Sequence, residues 1–131
     1  MKKKYLMAVM IIMILCFGLT GCDKYSSNYS AVLLVRSNTS KSASTSFYKL
    51  KGQLAFKLKS KKANGVIKYK GKVEKGEITV YVDDGDKKEL FTVKSGEKVD
   101  TSSVSVNKGS VYVVIKTKGT CTNGSFDFEV K

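Results

Sequence analysis

Apolar and polar residues alternate with a period of two from Phe47 onward. A β-strand points successive side chains to opposite sides of a sheet, so this period predicts strands with one buried and one solvated face. No comparable stretch has the spacing of an amphipathic helix. The inward-facing positions predicted in this way are Tyr48, Leu50, Leu54, Phe56, Leu58, Ile67, Tyr69, Val73, Ile78, Val80, Val82, the run 90–93, Val104, Val106, Val111, Val113, Ile115, Phe126, Phe128 and Val130.

Turn-forming residue pairs separate these strands, and a short apolar run at residues 31–35 predicts an additional first strand. The pairs are Asn64-Gly65, Lys75-Gly76, Asp84-Gly85, Ser95-Gly96, Lys108-Gly109 and Asn123-Gly124. Short strands with frequent turns are typical of antiparallel all-β folds. The sequence therefore predicts an all-β fold, namely a small antiparallel β-sandwich, or partly open barrel, of about seven to eight strands.

The pair Asn123-Gly124 predicts a two-residue type I′ hairpin, because both central residues of that turn need positive φ. Such a turn places Cys121 opposite Phe126 and Thr117 opposite Val130, and directly opposite residues share a face. Cys121 is therefore predicted to point inward as a small buried hydrophobe with an inert thiol.

The hairpin at Asp84-Gly85 allows two pairings. A two- or four-residue loop would pair Ile78 with Phe91 and would leave Glu89 opposite Val80. A three-residue loop with a bulge would instead pair Val80 with Leu90, and the apolar pattern favours this second pairing.

The N-terminal residues have the three parts of an export signal: Lys2, Lys3 and Lys4, then an uncharged apolar run at residues 6–19, then Leu19-Thr20-Gly21-Cys22. The run is shorter than the roughly 20 residues that a transmembrane helix needs. The four final residues resemble the lipobox of bacterial lipoproteins. That resemblance implies cleavage before Cys22, acylation of Cys22 with palmitate-type chains, and localisation at the extracytoplasmic face of the cell membrane.

This division predicts a signal peptide over residues 1–21, a polar tether over 22–30 and a β-sandwich domain over 31–131. Within the domain, residues 37–46 are nearly all small and hydroxylated, a composition that predicts a mobile loop. If residues 31–35 are not a strand, the tether extends to Ser46. Cys16 leaves with the signal and Cys22 is acylated, so Cys121 has no partner for an intrachain disulfide.

Several chemistries are disfavoured by the residues available. The chain has no histidine, which removes His-based triads and most zinc or copper sites. Asp83, Asp84 and Asp86 lack the spacing of an EF-hand and are expected to form a solvated turn. No paired carboxylates or nucleophile elbow can be recognised. We therefore expect no enzymatic activity, no metal and no cofactor.

Lysine dominates the charge of the chain, which has a formal net charge of +13. Loss of Lys2, Lys3 and Lys4 with the signal lowers this value to +10. Seven lysines alternate outward from two consecutive predicted strands and would form one basic face if those strands paired: Lys49, Lys51, Lys57, Lys59, Lys68, Lys70 and Lys72. Such a face would attract anionic lipid headgroups or wall polymers. The alternative is that these lysines keep the wet face soluble and prevent edge aggregation.

The last hundred residues are similar in turn and strand spacing to small sandwich domains of Gram-positive lipoproteins. This resemblance implies a β-sandwich fold and a localisation at the cell surface. Taken together, the sequence predicts a lipid-anchored, non-catalytic surface module. Its expected partner is an anionic envelope polymer, lipid headgroups or a protein, and not nucleic acid, because the chain has one arginine and no recognition motif. The alternative function is an inhibitor or immunity-type lipoprotein that binds another protein.

Overall fold

The computed structural model describes residues 25–131, so the signal peptide and Cys22 lie outside the described residues. The strands are β1 (Asn28–Val32), β2 (Val35–Asn38), β3 (Ser42–Ser60), β4 (Gly65–Asp83), β5 (Lys87–Val93), β6 (Lys98–Val106) and β7 (Gly109–Val130). No helix occurs within this range. The prediction of an all-β fold is confirmed.

A single antiparallel sheet of seven strands folds over on itself to form the β-sandwich. Its order is β1-β3-β7-β4-β5, with β2 beside β3 and β6 beside β4. The three long strands bend partway along their length, where the register of β3 shifts near Gly52 and that of β4 shifts near Gly76. Both glycines have positive φ, a conformation that L side chains rarely adopt.

The bend divides the long strands between two layers. One layer, which we call the front layer, consists of β2, β6 and residues 42–50, 65–73 and 121–130. The back layer consists of β5 and residues 53–60, 77–83 and 109–117. Tyr69 of the front layer stacks on Phe91 of the back layer with 5.3 Å between ring centroids, and Phe91 in turn meets Phe126 at 6.1 Å. These contacts join the layers through the core.

Side chains from β2 close one side of the sandwich, in the manner of a partly open barrel. Arg36 donates a hydrogen bond of 3.0 Å to the carbonyl of Ala55, and its guanidinium lies 4.8 Å from the centroid of the Phe56 ring. The Asn38 amide donates to the carbonyl of Lys57 at 3.1 Å and accepts from its backbone N–H. The exposed edge of β3 in the back layer is thereby covered, which protects it from pairing with another chain.

Most of the predicted core is confirmed, from Leu50, Leu54, Phe56 and Leu58 through Ile115, Phe126 and Phe128. The prediction that Tyr48 faces inward is wrong, because Tyr48 is 44% exposed while the neighbouring Phe47 is buried. Residues 43, 45 and 47 face inward in the front layer, whereas the inward residues are Leu50 where the front layer meets the bend and residues 54 and 56 in the back layer. The inward face therefore changes from odd to even positions at the bend, and a single alternation extended across it fails at Tyr48.

Four of the six predicted turns connect strands, but Lys75-Gly76 and Asn123-Gly124 lie inside β4 and β7. The predicted hairpin at Asn123-Gly124 is therefore wrong. Asn123 does have a positive φ of 50°, but Gly124 is buried opposite Phe47, where an added Cβ would collide with the phenyl ring. Glycine at 124 allows close packing rather than a turn. Cys121 is buried as predicted, although its cross-strand partner is Leu50 and not Phe126.

The hairpin between β4 and β5 has the predicted three-residue connection at residues 84–86, with a bulge between Val80 and Tyr81. Leu90 is the extra residue in this bulge, so the predicted pairing is wrong in detail and Val80 pairs with Phe91 rather than with Leu90.

Two predicted irregular segments are instead ordered as strands. Residues 28–30 of the predicted tether belong to β1, which pairs with β3 around the bend. The predicted mobile loop at 37–46 contains the end of β2 and the start of β3, and Ala43 and Thr45 are buried. The apolar run at 31–35 is split between β1 and β2 at Leu33, whose φ is +52°. Small hydroxylated residues form strands here because neighbouring strands supply the hydrogen bonds and the core.

Candidate functional site

The structure places the seven lysines of the predicted basic face on separate surfaces. All seven are exposed, as the alternation predicts. However, β3 and β4 do not pair, because β7 lies between them. Lys57 and Lys59 point outward from the back layer, and Lys49 and Lys51 lie near the bend. The remaining three, on β4, point outward from the front layer. The premise of one continuous lysine face is therefore wrong.

Strand β7 also brings acidic side chains next to the lysines of the front layer. Asp127 lies opposite Lys70 and Glu129 lies opposite Lys68. Directly opposite residues of unlike charge attract each other, so the front face is largely compensated. The ammonium of Lys131, 2.9 Å from Glu129, together with the charge of Lys68, lowers the pKa of the Glu129 carboxyl.

A different group of lysines gathers at one end of the sandwich around a cleft of about 350 Å³, which we call the basic cleft. It lies where β3 ends, where β7 ends and where the loop between β2 and β3 passes. Its lining residues are Lys41, Lys59, Lys61, Lys62, Glu129, Val130 and Lys131. Five lysines thus line the cleft, and Glu129 is the one acidic residue among its lining residues.

Backbone contacts fix the positions from which these lysines project. The carbonyl of Lys41 accepts a hydrogen bond of 2.7 Å from the N–H of Val130, and the N–H of Lys59 donates one of 2.7 Å to Ser40. The buried hydroxyl of Ser60 donates to the carbonyl of Lys62 at 3.0 Å. Lys131 exchanges two backbone hydrogen bonds with Val66. The walls of the basic cleft are therefore held in place while the lysine side chains extend into solvent.

Sequence reasoning found only Lys59 of this group. Lys41 falls in the segment that composition assigned to a mobile loop, and Lys61 and Lys62 lie in the turn that follows β3. Their proximity to Glu129 and Lys131 depends on the pairing of β3 with β7, which places Ser42 opposite Glu129 although the two residues are far apart in the chain. The doublet Lys61-Lys62 beside a strand end was the only local signal.

On the outer side of the back layer, Tyr25 forms a second cluster of polar and aromatic contacts with residues of the sheet. Tyr112, Val114 and Asp83 point away from the core and are nevertheless buried. The hydroxyl of Tyr25 donates a hydrogen bond of 2.7 Å to Asp83, and its ring lies edge-on to Tyr112 with 5.7 Å between centroids. Asp83 also accepts from the N–H of Gly85 at 3.0 Å. The N-terminal segment is therefore bound to the sheet.

The environment of Tyr25 stabilises the protonated, neutral form of its phenol relative to the phenolate. Burial, then the hydrogen bond to Asp83, then the negative charge of Asp83 raise the pKa of Tyr25 from 10.0 to about 12. The neutral phenol is the form that the folded state favours. Its contribution to stability is therefore fully present below pH 10 and is lost as the pH rises from about 10 to about 12.

We expect an absorbance titration at 295 nm to contain one tyrosine that ionises near pH 12 and that is missing from the Tyr25→Phe variant. Asp83→Asn should move that ionisation to lower pH, because it removes the negative charge beside the phenol. A Tyr25→Phe difference spectrum that titrates near pH 10 would contradict the Tyr25–Asp83 contact.

The other candidate groups do not assemble into a reactive site. Within residues 25–131, no three side chains of the metal-binding types lie close enough to hold an ion. Asp83 is engaged by Tyr25, while Asp84 accepts from the N–H of Asn107 at 2.9 Å. The Cys121 thiol is buried beside Gly76 and donates to the carbonyl of Glu77 at 3.4 Å. Burial raises the pKa of Cys121, which keeps the thiol protonated.

No protein-family model and no curated protein sequence matches this chain. Among solved structures, it is similar to the PliG periplasmic inhibitors of g-type lysozyme from Salmonella Typhimurium (14% identity, TM-score 0.49, covering 70% of this chain and 92% of that one) and Aeromonas hydrophila (10%, 0.47, 70% and 88%). It is also similar to TmCBM61, solved in complex with β-1,4-galactotriose (15%, 0.43, 83% and 83%). Similarity at this level carries no information about what this chain binds.

None of the described residues forms a helix with the length and hydrophobicity needed to cross a membrane.

Proposed function

We propose that this protein is a lipid-anchored, non-catalytic surface module that binds an anionic envelope polymer in the basic cleft. The observation that carries the proposal is the gathering of Lys41, Lys59, Lys61, Lys62 and Lys131 around one cleft with a single acidic residue. A polymer of phosphate groups is the ligand class with matching charge and with repeated anions to engage several ammonium groups together.

The energetics of such a site favour many weak contacts over one strong contact. In water, two unit charges 4 Å apart attract by about 1 kcal/mol, so one lysine contributes little alone. Several lysines on fixed backbone positions act together on one chain of phosphates. These contacts are exposed, so salt should weaken the binding steeply.

The proposed location follows from the N-terminal motif, which lies outside the described residues. Acylation of Cys22 would hold the domain at the extracytoplasmic face of the membrane, where envelope polymers are accessible. Two acyl chains give stable anchoring, whereas one chain is marginal.

The binding proposal is tested by titrating the protein with poly(glycerol phosphate), with neutral dextran as the control ligand. Changing Lys41, Lys59, Lys61 and Lys62 together to Gln should weaken binding at least tenfold at low salt, since each contact contributes about 1 kcal/mol. The matched control changes Lys68, Lys70, Lys72 and Lys98 to Gln, which removes the same charge from the compensated front face. This control should bind nearly as well as the native protein.

Equal losses in the two quadruple variants would mean that net charge and not the basic cleft governs binding, and the proposed site would be wrong. Absence of binding to the phosphate polymer, with a tight and salt-insensitive complex with a protein instead, would favour the inhibitor or immunity-type function.

A further inference from the structure

The exposed large apolar side chains of residues 25–131 are concentrated in one region of the surface. They are Tyr29, Val32, Leu33, Val35 and Tyr48. The first four belong to β1, β2 and their connection, and Tyr48 lies on β3 between the partners of these strands, since Val32 pairs with Lys49 and Val35 pairs with Ser46. We call Val32, Leu33, Val35 and Tyr48 the apolar corner. Exposed apolar residues that gather in one patch, unlike scattered ones, mark a contact surface.

Leu33 has a backbone conformation that is unfavourable for its side chain and that no burial within the domain offsets. Its φ is +52°, in the left-handed region that favours glycine, and its side chain is 78% exposed. The corner is nevertheless held in place, because Leu34 packs against the core and the Thr45 hydroxyl donates a hydrogen bond of 3.1 Å to the carbonyl of Val35. Glycine would suit both the backbone and the solvent at this position. A leucine here is explained by an apolar contact outside the domain.

The charged residues around the apolar corner are lysines. The sequence has no acidic residue between Asp23 and Glu74, so β1, β2 and β3 carry none. The Lys49 ammonium lies 5.7 Å from the centroid of the Tyr48 ring, and Lys51 is exposed two positions further along β3.

The acidic residue level with the corner lies on the far side of β7. It is Glu74 of β4, which accepts a hydrogen bond of 2.6 Å from the Asn123 amide of β7. On β7 itself, the residues that pair with Lys49 and Leu50 are Thr122 and Cys121. The apolar corner therefore has a rim of lysines without a carboxylate on its own strands.

We propose that the apolar corner inserts into the headgroup region of an anionic phospholipid bilayer, where Lys49 and Lys51 contact the lipid phosphates. Apolar residues with a tyrosine and flanking lysines are typical of segments that lie at a membrane surface. Interfaces between proteins are instead depleted in lysine, which favours the bilayer as the occupant. This inference goes beyond the proposed function and depends neither on acylation of Cys22 nor on the basic cleft.

The proposed contact gives the domain an orientation. Lys41 lines the basic cleft, whereas Lys49 lies beside the apolar corner near the bend of β3. An extended chain rises about 3.3 Å per residue, so roughly 25 Å separates these two lysines. With the corner in the bilayer, the basic cleft would open away from the membrane.

The contact can be measured with single tryptophans, because the chain contains none. Tyr48→Trp keeps an aromatic ring in the apolar corner. Ser103→Trp places the control reporter at an exposed position of β6, which β7 and β4 separate from β3. The full chain is reconstituted in vesicles of phosphatidylglycerol and phosphatidylcholine whose acyl chains carry a nitroxide just below the headgroups, and the fraction that floats with the vesicles is measured.

We expect the fluorescence of Tyr48→Trp to be quenched about threefold more than that of Ser103→Trp, because only the apolar corner reaches the acyl chains. Adding Leu33→Gly should bring the two values together. The midpoint of chemical denaturation of this variant should be unchanged or higher, because glycine readily adopts positive φ. Adding Leu33→Met, which keeps an apolar side chain, should preserve the difference.

The lysine rim is tested in the same vesicles. Changing Lys49 and Lys51 to Gln should reduce the quenching of Tyr48→Trp, because the contacts with lipid phosphates are lost. The matched control changes Lys68 and Lys70 to Gln, which removes the same charge from the compensated front face and should have little effect.

Equal quenching of the two reporters, or an undiminished difference in the Leu33→Gly variant, would overturn the proposal. Protein that does not float with the anionic vesicles would overturn it as well. A photoreactive residue at position 33 should form adducts with lipid in native membranes, and adducts with a protein instead would assign the corner to a protein interface and overturn the bilayer contact. Binding of poly(glycerol phosphate) and the mass of the peptide containing Cys22 are measured separately, so failure of this inference is distinguishable from failure of the proposed function.

Discussion

Changing Cys22 to Ala should remove all lipid from the protein, and the protein should either leave the membrane fraction or remain as an uncleaved precursor. Each buried methylene contributes about 0.8 kcal/mol to membrane association, so two acyl chains account for nearly the whole attachment energy. Lysines near an anionic membrane surface contribute only about 1 kcal/mol each, so a few of them cannot replace the acyl chains. Labelling with a fatty-acid analogue and mass spectrometry of the peptide that contains residue 22 would measure the change.

The matched control is Cys121→Ala, because it removes the other cysteine of the mature chain. Cys121 is buried in the core, so this variant should keep its lipid and its place in the membrane fraction. An intact Met1 or an unmodified Cys22 in the native protein would contradict the proposed localisation.

Changing Phe126 to Ala should lower the free energy of unfolding by about 3–5 kcal/mol, the usual cost of removing a phenyl ring from a packed core. Phe126 is fully buried, pairs with Thr45 and Gly71 on the two neighbouring strands, and meets Phe91 from the opposite layer. Its ring occupies the space above Gly71, where a Cβ would collide with it. Chemical denaturation of the purified variant would measure the loss.

The control for this prediction is Tyr48→Ala, the removal of an aromatic ring that is 44% exposed. Its cost should be well below that of Phe126→Ala, since almost half of the Tyr48 side chain is already exposed and its removal leaves no cavity in the core. A cost for Phe126→Ala as small as that for Tyr48→Ala would contradict the assignment of Phe126 to the centre of the core.

The fold class was predictable because it depends on local alternation, and the alternation is strong over most of the three long strands, the small hydroxylated residues at the start of β3 excepted. The errors lie where a distant strand decides the outcome. Asn123-Gly124 has the composition of a turn, but the ring of Phe47, from another strand, occupies the space beside Gly124. Tyr48 follows the inward pattern of residues 50–58 in sequence, but the bend exchanges the two faces between Phe47 and Leu50. Neither the packing of Phe47 on Gly124 nor the exchange of faces beside Tyr48 is marked by a pattern in the neighbouring sequence.

The candidate site was less predictable than the fold for a related reason. Alternation correctly indicated that the seven lysines are exposed, but it could not show that β7 would separate β3 from β4. Lys41, Lys62 and Lys131 line the same cleft only because the strands that carry or precede them are hydrogen-bonded to segments far away in the sequence. Tyr25 was assigned to a tether because polar neighbours surround it, while its binding partner Asp83 lies 58 positions away.

The position of β7 also sets the order in which the molecule can assemble. The two strands that flank it precede it in the chain, and neither of them has the other as a neighbour. A nascent polypeptide that stops before residue 109 would lack the strand that joins β3 to β4. The backbone edges that β7 occupies in the folded protein would then have no hydrogen-bond partner from that strand. Completion of the sheet must await the synthesis of β7, and folding governed by such long-range closure is slow.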